Sequence, residues 1–277
     1  ILITNGIIKD LNYREEYFGN HKVIDCKNKI ICPSFLDLRC HFGEPGLEDT
    51  ESLDTGANAA LAGGYTKVCI LPNTNPVLDS LDSIESLLYK SKDLMIDILP
   101  IGSITKGLKG IELSEIGLMA SKGVVAISDA HKTVENSQII RHAIEYASMF
   151  DIPIINHAEN VDLKNSGIAH ESQFSTEKGF PSNPWISETV TLYRDLEIAN
   201  YVNGRIHIPH ISCKESLALI SKYKDRGLKV TAEVTPHHLG LSESKLDSFD
   251  ALYKISPPLR SEEDRLALIE ALKNGVI

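Results

Sequence analysis

Along FLDLRCHFGEPG, residues 35–46, an arginine and a histidine stand two positions apart. Alternation along a strand sends i and i+2 to one face, so Arg39 and His41 are expected to point the same way. Other short apolar runs finish in comparable groups: the second runs into Asn73, the fourth ends at Asp129, the fifth at His157 and the sixth at His210. Imidazole and carboxylate are the usual ligands of a catalytic zinc, which keeps about three protein ligands and one position for water. A guanidinium has no lone pair to donate. Arg39 therefore cannot serve as a ligand, which leaves three histidines, His41, His157 and His210, and Asp129 as candidate ligands for a zinc or another divalent metal.

Those residues need a scaffold that brings several strand ends together. From about residue 34 onward, β-branched runs alternate with longer helical patterns, the signature of parallel βα units. The candidate strands are 35–41, 66–72, 95–103, 124–129, 152–158, 205–212 and 229–236. Segments such as SQIIRHAIEYASMFD and SEEDRLALIEALKNG carry apolar residues at three- and four-residue spacing. In the latter, Ser261 and Asp264 make a capping-box start. Seven such units followed by a helix, Gly275 and an apolar Val276-Ile277 imply an eighth strand beyond the last residue, and the fold expected over 34–277 is an α/β (β/α)8 TIM barrel. An open doubly wound sheet is the alternative, but the glycine-rich phosphate turn after its first strand is missing.

Residues 1–33 read as a small, incomplete β-sandwich portion, with strands in ILITNGIIKD and HKVIDCKNKIIC. The stretch 160–185 reads as a long loop. Among the remaining histidines, His207 falls out of step with His210 and is expected on the helix side. His237 and His238 either line the barrel mouth or cap a loop, and His21, His131, His142 and His170 are expected on loops or helix surfaces. Cys40 is expected in the core.

The net charge of −10 and the absence of a lysine- or arginine-rich block argue against a general nucleic-acid surface. No run approaches the roughly 20 apolar residues of a membrane span, and the first residues lack a signal-peptide pattern. The five cysteines are scattered, with no C-x-x-C pair. Reduced thiols in a cytoplasmic protein are the expectation.

With these residues in place the sequence resembles the dihydroorotases of the amidohydrolase superfamily. The family's first-strand pattern D-x-H-x-H-x-R-E-P-G is matched by Asp37 to Gly46, and AGGYTKVCILPNTNP resembles its second strand and P-N-T-N-P loop. VVAISD, INHAEN, IPHIS, EVTPHHL and ISPPLRSEEDRLALIEAL follow in the same order. The resemblance implies metal ligation by His41, Asp129, His157 and His210, and a carboxylate-holding role for Asn73. It places the proton-carrying aspartate on strand eight, beyond Ile277. Three positions depart from the pattern: Arg39 for the first histidine, Gly43 for the substrate-pairing arginine, and Ser256 for a substrate-binding asparagine. Arg39 is expected to replace the lost cation and pair with the substrate carboxylate.

The implied activity is reversible hydrolysis of dihydroorotate to N-carbamoyl-L-aspartate in pyrimidine synthesis, using water activated by about one zinc per chain. The alternatives are a silent dihydroorotase-like subunit scaffolding aspartate carbamoyltransferase, and a hydantoinase- or allantoinase-like enzyme. A homodimer is the self-assembly to consider.

Overall fold

A computed structural model describes residues 1–12 and 22–277 and divides them into two units, 1–34 and 35–277. In the first, β1 (Leu2–Thr4) and β2 (Ile7–Asp10) form an antiparallel hairpin. Asn5 and Gly6 turn it, both at positive φ, as a two-residue hairpin loop requires. The strand expected in HKVIDCKNKIIC is not formed among the described residues, where 22–34 hold only a turn at Lys27-Asn28. His21 lies outside the described residues.

The second unit is built on a parallel sheet. Its strands are β3 (Phe35–Cys40), β4 (Tyr65–Ile70), β5 (Asp97–Gly102), β6 (Ala126–Ser128) and β7 (Ile154–Ile155), joined after an excursion by β10 (Arg205–Ile208) and β11 (Lys229–Ala232). These seven strands lie side by side in chain order, β3-β4-β5-β6-β7-β10-β11. The order never reverses, which excludes the doubly wound alternative, whose two halves run outward from a switch point. It is the order of a (β/α)8-type fold. The connecting helices are α1 (Leu53–Ala62), α2 (Leu81–Ser91), α3 (Ile116–Ser121), α4 (Ser137–Ser148), α7 (Ile186–Tyr201) and α8 (Lys214–Asp225). After β11 come the short α9 (Pro236–Gly240) and then α10 (Glu262–Lys273), which opens on the Ser261–Asp264 capping box read from the sequence.

Residues 160–185 are more ordered than the expected loop. They form α5 (Val161–Lys164), β8 (Ala169–His170), α6 (Gln173–Lys178) and β9 (Ser182–Asn183), with β8 and β9 paired as a two-stranded parallel ribbon.

Strand alternation divides the core in two. Val68, Ile70, Ile98, Ile127, Ile154, Ile206, Ile208 and Val230 pack outward with the helices in the larger apolar cluster. Cys69, Ile101, Ala126 and Ile155 face inward in a smaller one. His207 belongs to the inward set: it lines a cavity with Leu36, Leu38, Cys69 and Thr231, and its Nδ1 lies 2.8 Å from Thr231 Oγ1. The helix-side expectation for His207 is thus overturned. Cys40 packs against the larger cluster, as expected. No helix among the described residues is long and apolar enough to cross a membrane.

Candidate active site at the strand ends

The loops following β3, β4, β6, β7 and β10 carry the residues singled out above. Arg39 is the penultimate residue of β3, where the register against β4 shifts between Asp37 and Cys40. Such an irregularity re-aims side chains: Leu38 lines the interior cavity, while the Arg39 guanidinium donates from Nη2 to Ala130 O at 3.1 Å. Its Nε is buried without a partner. Burial pulls the Arg39 pKa down, opposed by the nearby charges of Glu233 and Asp37.

His41 Nε2 lies 3.4 Å from Asn73 O, and Asn73 Oδ1 is buried without a partner. The turn between His41 and α1 fixes this pair. Gly43 sits at φ +87, and a Cβ there would come within 2.7 Å of Leu47 O. The backbone at this position therefore excludes the arginine of the related pattern. Gly46, at φ +89, lies against Asn75, where a Cβ would overlap the Asn75 carbonyl oxygen. That close approach lets Asn75 N donate to Pro45 O at 2.8 Å, joining the two loops. Gly46→Ala is expected to cost roughly 2–5 kcal/mol, from overpacking plus a left-handed backbone. A urea midpoint that falls with unchanged m would show it, whereas a loss below about 0.5 kcal/mol would mean the loops yield freely.

Asp129 is buried at the end of β6, but its carboxylate is turned toward the β5 loop. Oδ1 accepts from Ile104 N at 2.8 Å and Thr105 N at 3.0 Å, and Oδ2 accepts from the Thr105 hydroxyl. Burial raises its pKa against the lowering effect of these bonds.

His157 and His210 do meet. His157 Nδ1 is 3.1 Å from His210 Nε2, the rings edge-on with centroids 4.8 Å apart. The other His157 nitrogen, Nε2, lies 3.0 Å from Glu159 Oε2. Glu159 also accepts from Lys164 Nζ at 2.6 Å and Asn183 Nδ2 at 3.1 Å. Burial pushes its pKa up, but the His157 and Lys164 bonds and charges prevail and hold it at about 2. His210, at φ +40, has its pKa driven well below the ordinary value by burial, then by His157 and Arg39. Ser256 is exposed, and its hydroxyl accepts from Lys164 Nζ at 3.3 Å.

A cavity of about 630 Å³ opens beside His157, lined also by Glu159, Lys164, His131, Lys132 and Lys109. Of the residues on this wall, sequence reading singled out only His157 as a site residue. His131, expected on a loop or helix surface, does lie in an exposed turn, and that turn forms part of the cavity wall; desolvation, then Arg39, His157 and His41, hold its pKa at about 4. Glu159 stands two residues after His157, a carboxylate placed to orient an imidazole, and that spacing was the signal available. His170, also expected on a surface, is buried in β8 next to Arg260 Nη1 at 3.4 Å. His238 is buried in a structural tie, with Nδ1 2.7 Å from Thr235 Oγ1 and Nε2 3.2 Å from Pro257 O.

Ligands bound at about 2.0–2.1 Å stand about 3.3 Å apart on a tetrahedral edge. The His157–His210 nitrogen separation of 3.1 Å is close to that edge, and Glu159 behind His157 supplies the usual outer support for a ligating imidazole. Asp129 is held away by Thr105, and no group of three or more His, Cys, Asp or Glu among the described residues is placed to hold a metal. The histidine pair thus brings two nitrogen donors together, and among the described residues no third carboxylate, thiol or imidazole stands with them to complete a metal-binding group.

The sequence profile of a family described as "Dihydro-orotase-like" matches residues 28–216. Over all of this chain, a dihydroorotase of Caldicellulosiruptor saccharolyticus is 40% identical and one of Ruminiclostridium cellulolyticum is 41% identical. The chain spans about 65% of the length of these curated relatives. Among solved structures, an L-hydantoinase (dihydropyrimidinase) from Arthrobacter aurescens superposes with a TM-score of 0.76 at 21% identity, covering 88% of this chain and 56% of that one. A D-hydantoinase (dihydropyrimidinase) from Thermus sp. gives 0.69 at 22% identity, with the same coverage.

Proposed function

The chain belongs to the dihydroorotase-like family, and from that premise we propose that it forms the barrel of a cyclic amidohydrolase interconverting dihydroorotate and N-carbamoyl-L-aspartate. The observation that carries the reading is the His157–His210 pair, backed by Glu159 and opening on a polar cavity. In this reading residues 34–277 are the barrel and 1–33 a separate small β portion. The free cysteines suit a cytoplasmic protein.

His157 and His210 would hold one zinc, or another divalent ion, with Asp129 as the further candidate ligand, although in this structure its carboxylate accepts from Thr105. Bound there, the ion would act as a Lewis acid and bring the pKa of a coordinated water toward neutrality. The chain's own residues do the rest of the positioning. Glu159 accepts from His157 Nε2–H, which fixes the tautomer and leaves Nδ1 as a donor of electrons. Arg39, with its Nε unpartnered, offers a planar fork to the substrate carboxylate. Asn73, beside His41, would help hold the substrate carboxylate through its amide NH2. Ser256 reaches the site through Lys164 and shapes its rim.

Assay of the full-length protein with dihydroorotate, alongside elemental analysis, tests this. Turnover with about one metal ion per chain is the expected result. No turnover, together with stable association with aspartate carbamoyltransferase, would replace the enzyme with a scaffold, and turnover of hydantoin or allantoin alone would change the ring.

A further inference from the structure

The cavity beside His157 has an uneven charge. Of the three lysines on its wall, Lys164 is committed to Glu159 at 2.6 Å. Lys109 and Lys132 have no carboxylate partner among the described residues. The 3-10 turn Lys106–Leu108, with Gly107 and Leu108 at positive φ, precedes Lys109, which lines the cavity. Thr105 Oγ1 accepts from Gly110 N at 2.9 Å and itself donates to Asp129, fixing the loop to the end of β6. Lys132 reaches the same loop from the other side, its Nζ donating to Leu108 O at 3.1 Å. One ammonium thus has two free protons and the other three, and both face one cavity. The remaining carboxylate on that wall, Glu135, lies where Arg194 Nη1 donates to the Glu135 carbonyl oxygen at 2.7 Å.

We propose that Lys109 and Lys132 form an anion subsite that takes one carboxylate of a dicarboxylate ligand in the His157 cavity. The choice of a dicarboxylate rests on the function proposed above; the subsite rests on two lysines that line one cavity and form no ion pair among the described residues. An anion there replaces solvent around two like charges on one cavity wall, so its binding weakens as salt screens them.

Titration calorimetry of the full-length protein with succinate tests it. Succinate has no amide, so its binding is independent of whether any ring is hydrolysed. Each of Lys109→Gln and Lys132→Gln is expected to weaken binding about tenfold, the scale of one lost charge-assisted contact, and the double variant by more. Lys273→Gln, on the exposed end of α10, should leave binding unchanged. Failure of the unsubstituted protein to bind succinate, or a double variant within threefold of it, would overturn the subsite. Loss of ring hydrolysis with succinate binding intact would instead remove the function reading alone.

Discussion

Replacing His157 by alanine should lower dihydroorotate hydrolysis by the full-length protein at least a hundredfold and strip its bound metal, while leaving the far-ultraviolet circular dichroism unchanged. The imidazole is the one group that touches both His210 and Glu159, so its loss removes a metal donor and the orienting contact together. The fold should survive because Glu159 keeps Lys164 and Asn183 as partners. Glu159→Gln separates the two roles. It leaves both imidazoles but weakens the anchor of His157, and outer-sphere changes of that kind cost about 10–100-fold in metal affinity or activity. The anchor itself is insensitive to mild acid. The Glu159 carboxylate, held at about 2, lies below its ordinary value; its stabilisation is present above the unfolded pKa of about 4.3 and lost only as pH falls toward 2. Activity in the His157→Ala variant within threefold of the unsubstituted enzyme would refute the assignment.

The seven strands were readable because each is a short β-branched run bounded by turn residues, and all seven occur where the pattern puts them. The segment 160–185 was not, since helices of four and six residues and strands of two are too short to show a period. Side-chain direction was harder still. Counting alternation from His210 put His207 on the outer face, but β10 ends at Ile208 and His210 lies past it at φ +40. The turn, not the pleat, aims His210. Asp129 was found at the right strand end, yet its carboxylate points to the backbone amides after β5, a choice set by Thr105 on a neighbouring loop. His131 was missed for the same kind of reason: what makes it a cavity residue is the convergence of Arg39, His157 and His41 from three other strand ends.

Glu188→Ala should destabilise the barrel by roughly 3–5 kcal/mol, because it removes one buried carboxylate on which several donors converge. Glu188 lies in the first turn of α7 and is 3% exposed. It accepts from the Ser212 hydroxyl, Ser212 N at 3.2 Å, Ser216 Oγ at 2.5 Å and Cys213 Sγ at 3.4 Å. These donors span the loop from β10 into the first turn of α8, starting two residues after His210 at Ser212. The far side of Ser212 is held by buried Arg260, whose Nε donates to Ser212 Oγ at 3.0 Å and whose Nη1 donates to Asn183 O at 2.6 Å. Asn183 in turn donates to Glu159. One hydrogen-bonded chain thus runs from the hub under His210 to the carboxylate behind His157. Removing Glu188 leaves buried hydroxyl and amide donors without an acceptor, whereas Glu188→Gln keeps the shape and one oxygen and should cost less than half as much. The direct check is urea unfolding of both variants, followed in the glutamine protein by metal affinity. A glutamine variant of near-normal stability with weakened metal binding would show that the hub aims His210; equal losses in both variants would reduce it to packing.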